Sequence, residues 1–275
     1  MAGEITRHTF MFLLHLTCDT SESDLLSSQL WEAGTVGIEE KDLSDGCLLI
    51  ACFETNAQRS DLVDQFAAHN PHWSHADSTD WIEATQRAWP PREIGQRLFL
   101  APPWCSEVTP PGRLRIIHNP GLACGTGEHP CTQLALTALE TVQVSGKPVA
   151  DIGTGSGLLA IAALHLGAAL AIGLDPDEAA LTAARENFAL NNFHPVLAAG
   201  FADSLRDSCS SVTVANISGT VLLSIADDLL RITSPRGQLI LTGFAQYELA
   251  SIEDIFGQGE VTSSGGWSCL HVQLS

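Results

Sequence analysis

The chain has 275 residues, enough for one large or two modest domains, and 45% of them are apolar, which supplies a core and excludes global disorder. With 13 Lys and Arg against 32 Asp and Glu the formal net charge is −19, which excludes a phosphate backbone as the main partner, because that binding runs on cationic side chains. The charge is uneven: residues 1–77 hold 13 acidic and 3 basic residues, residues 78–148 six of each, and residues 149–275 13 acidic and 4 basic. Such acidity suits a basic macromolecular partner, or simply solubility.

The apolar run Phe10–Leu16 is too short for a secretory leader, follows Glu4 and has no small-residue cleavage site after it, so residues 10–18 read as a first strand. No apolar stretch approaches the roughly 20 residues that cross a bilayer. Residues 22–33 follow with helical spacing (Leu25, Leu26, Leu30) and Gly34 ends them. Residues 36–40 and 47–53 form a hairpin around Ser44-Asp45-Gly46. Asn56 can cap a second helix bearing Leu62, Val63 and Phe66. The order β-α-β-β-α is most of a small ferredoxin-like α+β domain.

Residues 70–92 are rich in Pro and Trp and read as a linker, with a short helix at Trp81–Trp89. Strands are expected at 97–101 and 113–118. From residue 132 helices alternate with strands: helix 132–141, strand 149–152, helix 158–166, strand 170–174, helix 176–190, strands 196–199 and 212–215, helix 220–232, strand 238–242, helix 247–256, and a final hairpin around Gly265-Gly266. That alternation implies a parallel sheet covered on both faces, with ligands at the strand C-termini near the switch point. The eight cysteines contain no CxxC pair and no zinc-like spacing, so they read as reduced thiols and no metal is expected.

The chemistry-bearing residues follow this grammar. Asp151-Ile-Gly153-Thr-Gly155-Ser-Gly157-Leu lies between a strand and a helix, a turn whose backbone can approach a ligand closely. Leu158 stands where the dinucleotide fingerprint has its third glycine. Asp175 ends the next strand, 22 residues after Gly153, where a carboxylate can accept from both ribose hydroxyls or cap the following helix. Asn216 ends a later strand; its side-chain oxygen can accept from a substrate amine, or the residue can cap the helix at Thr220. Residues 119–132 form a Gly- and Pro-rich loop with flexible points at Gly125 and Gly127, capped into a helix by Thr132 or a neighbour, and able to fold over a ligand. His129 in that loop reads as base, metal ligand or structural residue, and no second ligand lies at metal spacing.

These motifs resemble those of the PrmA family, the ribosomal protein L11 methyltransferases, in order and spacing. The family's GLAFGTGTHPTT is here GLACGTGEHPCT over 121–132, its DxGxGSGxLAIAAxxLGA is DIGTGSGLLAIAALHLGA over 151–168, and Gly173-Leu-Asp175 and Ala215-Asn216-Ile217 follow. Asp80-Trp81, the segment 94–98 and Pro103-Trp104 also match. The resemblance covers residues 80–275 in letters and the first 75 in layout. It implies an α/β fold: a seven-stranded class I (Rossmann-like) methyltransferase domain over 96–275, a linker over 76–95, and a small ferredoxin-like α+β substrate-recognition domain over 1–75. It implies S-adenosylmethionine as cofactor, held by Thr132, Gly153, Gly155, Asp151, Asp175, Asn216, Gly125 and Thr126, with Asn216 as catalytic residue. The implied reaction is N-methylation of lysine ε-amines, an N-terminal α-amine or both on the basic stalk-base protein, by a cytoplasmic monomer needing neither nucleic acid nor membrane. The chain departs from the family at Thr85, Cys124, Glu128, Cys131 and Ser218-Gly219. The residues alone also fit a methyltransferase of this fold with another protein or a small molecule as substrate, or a non-catalytic protein holding the cofactor or the ribosome.

Overall fold

The computed structural model describes residues 10–35, 37–43, 46–53, 59–77, 89–119 and 127–275. The expected turn residues Ser44 and Asp45, the Asn56 cap and the helix over Trp81–Trp89, Trp89 apart, lie outside them. The chain divides into two compact units, residues 1–89 and 90–275.

In the first unit β1 (Phe10–Cys18), α1 (Ser23–Glu32), β2 (Gly37–Leu43), β3 (Gly46–Phe53), α2 (Arg59–Gln65) and β4 (His72–Asp77) follow in order. The sheet order is β2-β3-β1-β4 with every pair antiparallel. Strand alternation puts Leu14 and Leu16 of β1 and Leu49, Ala51 and Phe53 of β3 on one face. They pack there with Leu26 and Leu30 of α1 and with Leu62 and Phe66. Strand β4 corrects the linker expectation. It is an edge strand entered through Pro71, where a missing N–H costs no ladder bond.

The second unit opens with β5 (Arg92–Ile94), β6 (Leu98–Ala101) and β7 (Leu114–Ile117), a small sheet with β5-β6 antiparallel and β6-β7 parallel. Strand therefore occupies both ends of the stretch 76–95, and the unit boundary falls inside it. Helix α3 (Pro130–Thr141) follows, and its Glu140 carboxylate accepts from the backbone N–H groups of Gln96, Arg97 and Leu98 at 2.7, 2.9 and 3.1 Å. That seats the β5–β6 turn on α3.

Then come β8 (Pro148–Ile152), α4 (Leu158–His165), β9 (Leu170–Asp175), α5 (Glu178–Leu190), β10 (Val196–Ala199), β11 (Ser210–Asn216), α6 (Gly219–Ser224), α7 (Ala226–Ile232), β12 (Thr233–Ala245), α8 (Leu249–Phe256), β13 (Glu260–Ser264) and β14 (Trp267–Gln273). Seven strands form one sheet in the order β10-β9-β8-β11-β12-β14-β13, parallel except for β14, which runs antiparallel to both neighbours. Helix α4 is apolar on every side and is buried from Leu158 to Ala163, as such a helix must be. The single helix expected over 220–232 is two, broken at Ile225.

From β8 the chain first adds β9 and β10 on one side, then crosses to place β11 on the other. This reversal opens a crevice at the C-terminal ends of β8, β9 and β11. Asp151, Asp175 and Asn216 stand at those ends.

Candidate active site

The turn after β8 is fixed from beneath. The N–H groups of Gly153 and Thr154 both donate to the Leu174 carbonyl, at 2.9 and 2.8 Å. Gly153 has φ +72°, and a Cβ on it would lie 2.4 Å from Cγ2 of Ile217, so glycine is needed both for the bend and for the approach of the β11 loop. Asp151, expected from the sequence among the cofactor residues, is fully buried and is not among the residues that line the cavity. Its Oδ2 accepts from the Thr154 hydroxyl at 2.7 Å and the Ala160 N–H at 3.1 Å, so the carboxyl braces turn and helix from within. Its Oδ1 is buried with no hydrogen-bond partner among the described residues. Burial, opposed by those two hydrogen bonds, pushes its pKa up to about 7.

Asp175 is not the cap of α5. Asp177 takes that role, accepting from the Ala179 N–H at 2.8 Å. Asp175 Oδ1 accepts from the Asp177 N–H at 3.0 Å and Oδ2 from the Gly155 N–H at 2.9 Å. The carboxylate thereby ties the Gly turn to the end of β9 while lining the crevice.

Asn216 likewise is no cap, since Ser218 precedes α6. It lies opposite Thr242 on β12, and its Nδ2 donates to the Thr132 hydroxyl at 3.1 Å. Thr132 is available for this because His129 caps α3, its Nδ1 accepting from the Cys131 N–H at 3.3 Å, and Pro130 opens the helix. The ring of His129 also meets Trp267 edge-on at 4.9 Å. The amide of Asn216 is thus held by its nitrogen end, while Oδ1 takes no hydrogen bond from any described residue. Beneath it the β12–β14 register slips at Gly243 (φ +94°), where a Cβ would meet the Ile217 carbonyl at 2.4 Å. The missing side chain lets the chain after Asn216 press onto β12.

A buried polar network stands behind the Gly turn. His118 Nε2 bonds to the Ser156 hydroxyl at 2.9 Å, and burial lowers the ring's pKa to about 4. On α5, Asn187 accepts from the Asn119 N–H at 2.8 Å and donates to the Ser156 carbonyl at 3.0 Å. One turn on, Asn191 accepts from the Ile117 N–H at 2.9 Å and donates to its carbonyl at 2.6 Å. Sequence reading missed these asparagines; two Asn four residues apart on one helix face was the available signal. Glu128, a departure from the family pattern, forms an ion pair with Arg92 of β5. Gly125 and Thr126 lie outside the described residues.

The crevice encloses about 660 Å³ and is lined by Thr132, Gly153–Ser156, Asp175, Asn216 and apolar side chains that include Ile217, Val221 and Ile225. Asp175 is its one ionisable side chain among the described residues. Phe201, after β10, also lines it with a largely exposed ring. The switch-point rule, extended from β8 and β11 to the neighbouring strands, would have pointed to that loop.

Residues 12–275 match the family model described as "Ribosomal protein L11 methyltransferase (PrmA)". Relatives of that name include one from Shewanella amazonensis, 31% identical over 268 residues covering 89% of this chain and 90% of the relative. One from Synechococcus elongatus is 34% identical over 249 residues, 82% of each chain. Among solved structures, a ribosomal protein L11 methylase from Lactobacillus delbrueckii subsp. bulgaricus superposes with TM-score 0.59 at 30% identity, covering 66% of this chain and 97% of the other.

Proposed function

Because the chain belongs to the ribosomal protein L11 methyltransferase family, we propose that it methylates lysine ε-amines, the N-terminal α-amine or both on ribosomal protein L11. It is a protein methyltransferase that uses S-adenosylmethionine. The cofactor fits the crevice: the volume suits a ligand of that size, the turn offers backbone without side chains at Gly153 and Gly155, and Asp175 lines the wall. When bound, it supplies a methyl group on a positively charged sulfur, an electrophile that needs no covalent help from the protein.

The chain's residues then have three tasks. Asp175 would accept from the ribose hydroxyls, the Gly153–Ser156 backbone would meet the amino-acid part, and Phe201 would offer its ring to the purine. The observation that supports the catalytic reading is the Asn216–Thr132 hydrogen bond, which holds the amide by its nitrogen and leaves an oxygen that no described residue bonds to meet the incoming amine. That oxygen orients the nucleophile without a negative charge that would favour the ammonium form. A lysine amine near pKa 10.4 must lose a proton first, and the apolar walls lower that value by desolvation. Glu128 and His129 are committed to Arg92 and to the α3 cap, so the proton leaves to water.

We read the first unit as ferredoxin-like and as the substrate-recognition module, and the second as the seven-stranded class I domain. The cellular form we propose is a cytoplasmic monomer acting on free L11 without nucleic acid; none of the described helices is long and apolar enough to cross a membrane. The acidic first unit suits a lysine-rich protein, so KM for L11 should rise steeply between 50 and 300 mM salt, on the order of tenfold. A flat salt response would return that charge to general solubility. Asp175→Ala should raise the Kd for S-adenosylmethionine about 50-fold, from the loss of charge-assisted hydrogen bonds and of the Gly155 tie. Unchanged affinity by calorimetry would remove the ribose assignment. Incubation with methyl-labelled cofactor and purified L11, followed by peptide mapping, tests the whole reading; label absent from L11 amines refutes it.

A further inference from the structure

We propose that Cys18 and Cys47 form a redox site in the first unit, a dithiol that a disulfide oxidant such as oxidised glutathione converts to an intrachain disulfide. Cys18 ends β1 and Cys47 lies near the start of β3, directly opposite each other in the antiparallel register. Their sulfurs already touch, 3.2 Å apart. Opposed residues of antiparallel strands have Cα atoms about 4.5 or 5.5 Å apart, and both values lie within the roughly 4.4–6.8 Å that a disulfide spans. The two side chains share the core face, so rotation about χ1 can bring the sulfurs to bonding distance while the backbone ladder stays in place.

The two thiols are unequal. Cys18 is half-buried and reachable, whereas Cys47 is wholly enclosed. Burial and the neighbouring Cys18 push the Cys47 thiol up to about 12, so Cys47 rests as a protonated thiol and Cys18 is the sulfur a solvent oxidant meets first. This sets the order of events. The Cys18 thiolate attacks one sulfur of oxidised glutathione and displaces one glutathione thiolate. The Cys47 thiol then gives up its proton, attacks Cys18 Sγ in the mixed disulfide and displaces the second. Two protein thiols and one oxidised glutathione become one protein disulfide and two reduced glutathiones, with electrons and protons conserved.

The bond would close the segment 18–47, which carries α1 and the edge strand β2. Closing a loop of about 30 residues restricts the unfolded chain.

The test uses the full chain, equilibrated with glutathione buffers of rising oxidation, alkylated and digested without reductant. The expected product is a linked Cys18–Cys47 peptide pair, 2 Da lighter than its reduced sum and released by dithiothreitol, with thermal unfolding of the oxidised protein about 10 °C higher. In Cys47→Ser the mixed disulfide should persist on Cys18 as a glutathione adduct. Free or merely glutathionylated Cys18 in the wild-type chain under oxidising buffer, with no linked pair, overturns the proposal. Failure of L11 methylation would leave it standing, since the mapping reads only the thiols.

Discussion

Asn216→Ala should lower kcat by about 100- to 1,000-fold and leave the Kd for S-adenosylmethionine within about threefold. The side chain lies at the end of β11 with its nitrogen given to Thr132 and its oxygen bonded by no described residue. Removing it takes away the group that aligns the amine, an interaction used as the methyl is transferred. The wall that would meet the ribose and the turn is unchanged, because Asp175 and Gly155 hold each other independently. Thr132→Val should give a smaller loss, about tenfold, because the amide keeps its place and loses only its orientation. Asn216→Asp separates orientation from charge. A carboxylate there would favour the ammonium form of the substrate, so the pH–rate profile should move to higher pH. Comparable losses of turnover and cofactor affinity in Asn216→Ala would show the residue to be part of the cofactor wall instead.

The position of Asn216 was legible before any coordinates because it depends on strand order alone. An α/β alternation fixes where strands end, and ligands meet a parallel sheet at those ends. The same logic brought Asp175 forward. What the chain did not disclose was local competition for hydrogen bonds. Asp175 and Asn216 were eligible caps by residue type, yet the turns place Asp177 and Ser218 at the helix starts, and of these only Asp177 closes its side chain on a backbone N–H. Asp151 was grouped with the cofactor because it adjoins the glycines, yet Thr154 and Ala160 draw its carboxyl inward. Strand β4 was hidden by Pro71 and Trp73, which look like linker residues; Trp73 in fact packs against the core of the first unit. The pairing of His118 with Ser156 joins residues 38 apart in sequence, and no periodicity reports a contact of that kind.

That pairing and Asp151 lead to an opposed dependence of stability on pH in the cofactor-free protein. Asp151 has a folded pKa of about 7 against the ordinary carboxyl value of 3.8, so the folded state keeps a proton that the unfolded chain releases. Its contribution is full below pH 3.8 and is lost as pH rises to about 7, about 4 kcal/mol in all. His118 runs the other way. Its folded pKa of about 4 lies below 6.5, so its contribution is full above pH 6.5 and is lost as pH falls to about 4, about 3 kcal/mol. Between pH 4 and 6.5 the two slopes nearly cancel in the wild type, and single substitutions expose each. Asp151→Asn, whose amide oxygen can still accept from both Thr154 and Ala160, should lose stability relative to wild type on acidification from pH 7 to 4, by about 4 kcal/mol. His118→Gln, which can still reach the Ser156 hydroxyl, should gain relative to wild type over the same interval, by about 3 kcal/mol. Urea unfolding at half-unit pH steps measures both differences, and the many surface carboxylates common to all three proteins drop out of the comparison. Parallel curves for wild type and Asp151→Asn would mean that the buried carboxyl does not hold its proton at neutral pH. The Gly turn would then rest on a buried charge rather than on a neutral hydrogen-bonded brace.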